Sequence, residues 1–167
     1  MKRKFFILFV TVFFLFLGGE SLAANPPAKI CAQLVDENNP QYLMRMVLVV
    51  KSAGSIKMHN GSVTYYSVNG FMFSQPGADK WNYPLVGEGQ MKQSDNRFYL
   101  SLTGSTVFSG TFFSANMAGI WVLDEKIGVI GATISGTKGN TTADTFVTFM
   151  MTEVSCNAME IPEIPIQ

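Results

Sequence analysis

RFYLSLTGSTVFSGTFFSANMAGIWVLDEKIGVIGATISG, residues 97–136, is the stretch whose reading decides the fold. Residues 97–103 alternate, with Phe98, Leu100 and Leu102 on one side and Tyr99, Ser101 and Thr103 on the other. Alternation of this kind, rich in aromatic and β-branched residues, marks a strand with one buried face. Residues 106–115 follow a Gly104-Ser105 break, 118–123 carry Trp121, and 128–135 run back after the polar turn Asp124-Glu125-Lys126. Segments this close in sequence are antiparallel neighbours, because a parallel pair needs a crossover of a dozen or more residues.

The pattern extends in both directions. Residues 30–35 read as a short strand carrying Cys31, and Asp36-Glu37-Asn38-Asn39-Pro40 as a loop. Residues 41–52 form the most apolar stretch beyond the N-terminal leader; they fit a doubly buried strand or a helix, and Gly54 with the alternating segment after it favours the strand. Asn60-Gly61, between Ile56, Met58 and Val63, Tyr65, has the two residues that tolerate positive φ in a tight hairpin. Residues 63–68 are then its return strand. Asn69-Gly70 fits either a second hairpin or a bulge in one long strand. Residues 75–82, with Pro76-Gly77, read as a surface loop, 85–93 as a strand, 136–144 as a polar loop and 145–155 as the last strand. Short strands at this spacing, without a helical period, predict an all-β antiparallel meander. The expected form is a closed or nearly closed up-and-down barrel of about eight strands, with a β-sandwich as the alternative.

The N-terminus reads as a separate unit. Lys2, Arg3 and Lys4 precede an apolar run over 5–17, and Ser21 and Ala23 supply small residues at a cleavage site. This is the order of a secretory signal peptide, 1–23, and its core falls short of the roughly 20 residues of a spanning helix. The expected organisation is one all-β domain over 24–156 and a flexible, Pro-containing tail over 157–167. Export to the periplasm or the extracellular space follows, with no membrane span after cleavage. Removing Lys2, Arg3, Lys4 and Glu20 from twelve basic and twelve acidic side chains leaves nine and eleven, a net of about −2. No basic stripe remains, so the chain has no electrostatic footprint for nucleic acid.

The two cysteines, Cys31 and Cys156, lie near opposite ends of the exported chain. In an oxidising compartment such a pair is expected to be bridged. It lacks the spacing of a redox-active dithiol.

Motifs for catalysis are absent. His59 stands alone beside a turn, the acids are scattered among turn residues, and Gly87-Glu88-Gly89 precedes no helix whose N-terminus would hold a phosphate. With one His and a bridged Cys pair there is no metal-ligand set, and no cofactor is implied. The chain is read as non-enzymatic. Its aromatic residues are the candidates for ligand contact: Trp81 and Tyr83 in or beside the 76–84 segment, Trp121 and Tyr65 on strands. Each has an alternative role in packing. The expected function is an exported barrel binding a small apolar or amphipathic molecule in its interior. A structural or adhesive subunit of a cell-surface assembly and a small outer-membrane barrel are the alternatives, and the oligomeric state is left open.

Overall fold

Alternating runs form strands whose apolar faces turn inward, and the four runs read over residues 97–136 make three longer strands. The computed structural model describes residues 25–59, 61–74, 82–92 and 96–159. Eight strands follow in order: β1 (Lys29–Asp36), β2 (Leu43–Met58), β3 (Gly61–Ser74), β4 (Asn82–Lys92), β5 (Arg97–Phe108), β6 (Thr111–Val122), β7 (Ile127–Lys138) and β8 (Thr141–Glu153). Each pairs antiparallel with the next, and β1 closes on β8, giving a closed up-and-down barrel. The leader 1–23 and residue Trp81 lie outside the described residues.

Closure rests on the β1–β8 ladder from Ala32–Glu153 to Asp36–Phe149. The inward residues fill the barrel. Ile30, Leu34, Met46, Leu48, Phe98, Trp121, Ile130 and Met151 are among the fully buried side chains, and the described core contains no buried polar or charged residue. An eight-stranded barrel has an interior about wide enough for its own side chains. The protein is therefore built apolar inside and mixed-polar outside.

Cys31 and Cys156 form a disulfide with a Cα–Cα distance of 5.3 Å. The bridge does not join β1 to the last strand. Cys156 begins a short 3₁₀ turn (Cys156–Ala158) after β8, and Cys31 points out of the barrel between inward Ile30 and Ala32. With Val47, Phe73 and Met159 it makes a second apolar cluster on the outside of β1–β3. The bond thus fastens the end of the described chain over the outer face. A loop of 125 residues would stabilise the fold by roughly 5 kcal/mol in the chain-entropy model.

Two readings from sequence change, and one left open is decided. Gly104-Ser105 is not a turn: β5 runs through it, and the reversal falls at Ser109-Gly110, both at positive φ (49° and 74°). Gly104 is needed for close approach instead, since a Cβ there would collide with the Pro84 carbonyl oxygen. Asn69-Gly70 lies within one long β3. Residues 136–144 are not a loop but the ends of β7 and β8 around a turn at Gly139, where φ is 59°.

Candidate functional site

The strands do not end level, and this asymmetry creates the site. Call the end with the β1–β2, β5–β6 and β7–β8 connections the upper end. There the β1–β8 ladder stops at Asp36–Phe149 and the β4–β5 ladder at Leu85–Gly104, while β5–β8 continue to Phe108, Thr111, Lys138 and Thr141. A four-stranded wall therefore rises above one side of the mouth. At the lower end β2 and β3 project past a bulge between Ser52 and Gly54, with β4 paired to β3 as far as Val63–Lys92.

The inner faces of the two projections differ in chemistry. On the lower one, Ser55 Oγ and Thr64 Oγ1 hydrogen-bond at 2.8 Å on an exposed surface, followed outward by Lys57 opposite Ser62. On the upper one, Phe113, Ile134 and Val147 are half-buried and packed against the core, with Phe108 half-exposed beyond them. Register explains the arrangement: Ile134 pairs with fully buried Ala115, and Val147 with fully buried Ala132. The Phe113 ring lies over Gly136, where an added Cβ would meet Cε1 at 3.1 Å. The opposite side of the mouth is shorter; its uppermost buried apolar residues are Leu34, Met44, Met72 and Tyr83, with half-buried Asp36 beyond Leu34 at the end of β1.

The structure separates the aromatic residues singled out from sequence. Tyr83 is buried on β4 at the upper end, and its ring edge lies beside Gly104, level with Ala115 and Ile134. Burial pushes its phenol up to about 12. Trp121 is fully buried at the lower end, opposite Phe98, and its Nε1 has no acceptor among the described residues. Tyr65 is half-buried on the outer face of β3, because inward Tyr66 is its neighbour. Tyr66 closes the lower end, edge-on to Phe98 with its hydroxyl 3.5 Å from Asn25 Oδ1, and burial raises its pKa against a hydrogen bond with Thr64. Of these residues, Tyr83 alone adjoins the upper mouth.

Phe108, Phe113, Ile134 and Val147 were not singled out by sequence, since along a strand they alternate like any core residue. The signal that distinguishes them is position: they are the large apolar inward residues nearest the Ser109-Gly110 and Gly139 turns. The arrangement offers apolar contact and shape rather than chemistry. Among the described residues, no three His, Cys, Asp or Glu side chains gather as a metal site, and no helix is long and apolar enough to cross a membrane. No protein-family model, curated protein or solved structure matches the chain.

Proposed function

We propose that this chain is an exported, non-enzymatic β-barrel that takes a small apolar or amphipathic molecule at its upper mouth, against Phe113, Ile134 and Val147. The observation that carries the reading is the contrast between the two projecting walls. One is polar on its inner side, and the other keeps large apolar side chains partly exposed, where covering the remaining surface releases about 25 cal/mol per Å². The order of residues in the leader and the Cys31–Cys156 bridge support export to an oxidising compartment. The packed apolar interior argues against an outer-membrane barrel, whose interior is polar and whose outer surface carries a continuous apolar band.

The test is titration of the oxidised chain, without its leader, with N-phenyl-1-naphthylamine, whose fluorescence rises in apolar surroundings. Saturable binding of one probe per chain is expected, with a dissociation constant on the order of 10 µM. Phe113→Asp and Val147→Asp should each abolish it while circular dichroism and the disulfide mass remain unchanged. Equal fluorescence in both variants and the parent would defeat the proposal.

A further inference from the structure

The outer face of the projecting β2–β3 hairpin is opposite in character to its polar inner face. Beyond the bulge, Gly54, Ile56 and Met58 turn outward, paired with Tyr65, Val63 and Gly61. Ile56 and Met58 are 54 and 55% exposed, and Val63 and Tyr65 are half-buried beside them. Cations border this apolar tip. Lys92 stands next to Val63 across the β3–β4 ladder, and Lys57 lies between Ile56 and Met58 on the inner face. Both lysines are exposed, and neither pairs with a carboxylate among the described residues. Glu88, the acid of β4, is four residues away from Lys92, about 13 Å along the strand. There it and Lys51 flank Ser67 and offset each other, so the excess charge at the tip is that of Lys57 and Lys92.

We infer that the tip of the β2–β3 hairpin docks the barrel on an anionic lipid surface. Charge and reach select that occupant. Past the last β3–β4 pair, Val63–Lys92, two further β2–β3 pairs carry Met58 about 7 Å beyond Lys92. Amphipathic elements sink their apolar side chains roughly 5–10 Å at the headgroup boundary. At that depth Ile56 and Met58 leave water while Lys57 and Lys92 stay level with the phosphates. Each cation so placed strengthens binding to an anionic leaflet about 5-fold. A protein strand is the poorer occupant. Beyond Ala28 the β1 side of β2 has no partner strand among the described residues, but the bulge between Ser52 and Gly54 and the charge of Lys57 interrupt that edge. Bulges and edge lysines are features that disfavour pairing with another strand. The tip and the mouth lie at opposite ends of the barrel, so either site can fail its test without the other.

Co-sedimentation of the oxidised chain, without its leader, with lipid vesicles tests this. Vesicles of phosphatidylglycerol and phosphatidylcholine should bind it, and vesicles of phosphatidylcholine alone should bind it about 10-fold more weakly or less. Ile56→Asp with Met58→Asp, both at exposed positions, should abolish binding while circular dichroism stays unchanged. Lys57→Gln and Lys92→Gln should each weaken it about 5-fold. Phe113→Asp, at the mouth, should leave it as in the parent. No binding to either vesicle, equal binding to both, or binding indifferent to the Ile56 and Met58 substitutions overturns the inference. So does loss of binding in Phe113→Asp, which would place the lipid at the mouth instead. A parent that dimerises without lipid through Ile56 and Met58 overturns it in favour of a second copy of the chain.

Discussion

Trp121 on β6 and Phe98 on β5 stand directly opposite each other, both fully buried, and close the lower half of the barrel interior. Tyr66 meets Phe98 edge-on, with ring centroids 5.4 Å apart and planes at 90°. Pairs in this geometry contribute about 0.5–1.5 kcal/mol beyond their area. Trp121 adds bulk to the cluster but also a buried N–H with no acceptor among the described residues.

That unsatisfied donor sets the expected cost of replacing the indole. Truncating a core Trp to Ala typically costs about 3–5 kcal/mol, whereas an unpaired buried donor is itself unfavourable by about 1–3 kcal/mol. Trp121→Phe retains most of the ring and removes the donor, so it should cost only about 1–2 kcal/mol. Phe98→Ala, which removes a ring in contact with Tyr66, should cost about 3–5 kcal/mol. Urea unfolding of the two oxidised variants measures both values. A Trp121→Phe loss as large as that of Phe98→Ala would mean that the indole N–H is bonded after all.

Much of this was legible in the chain because alternation is a direct image of burial. Phe98, Leu100 and Leu102 are buried and Tyr99, Ser101 and Thr103 exposed, as the pattern of residues 97–103 requires. Glycine was ambiguous. Gly104 looked like a turn and Gly70 like either a hairpin or a bulge, but both are places where neighbouring backbone comes too close for a Cβ, whereas the Ser109-Gly110 turn sat inside an apparently unbroken strand. The Thr-rich residues 136–144 looked like a loop because both of their faces are wet, yet β-branched residues pair well in a projecting hairpin. The upper mouth stayed hidden because it exists only through unequal strand heights. Tyr65 illustrates a related limit: it is adjacent to inward Tyr66, and a shift of one reverses the face of a side chain.

The two kinds of glycine environment predict opposite outcomes for the same substitution. At Gly70 a Cβ would collide with the Val47 carbonyl oxygen and lie 3.0 Å from the Leu48 Cα, both fixed backbone of the paired strand. At Gly131 it would meet only the Phe146 ring tip at 3.2 Å, on an exposed side chain that can swing aside. Gly70→Ala should therefore destabilise the barrel by about 3 kcal/mol. Gly131→Ala should stay within about 0.5 kcal/mol of the parent. Thermal unfolding of both variants separates the cases, and equal midpoints would contradict the backbone crowding assigned to Gly70.

Tyr83 predicts how the fold responds to alkali. Burial holds its phenol protonated up to about 12, against an ordinary value of 10.0. Between those values the unfolded chain has released this proton and the folded chain has kept it, so unfolding is favoured increasingly as the pH rises. The contribution is fully present below pH 10.0 and is lost progressively towards about 12. Tyr66, also raised by burial, acts in the same direction. Tyr83→Phe has no proton to lose at this position, so its stability should fall less steeply than the parent's across that window, while the two curves run parallel below about pH 9. Urea midpoints taken at intervals from neutral to strongly alkaline pH measure the slopes. Equal slopes above pH 10 would place the Tyr83 hydroxyl in contact with water, and with it would go the reading of Tyr83 as a dry, packed residue beside the mouth.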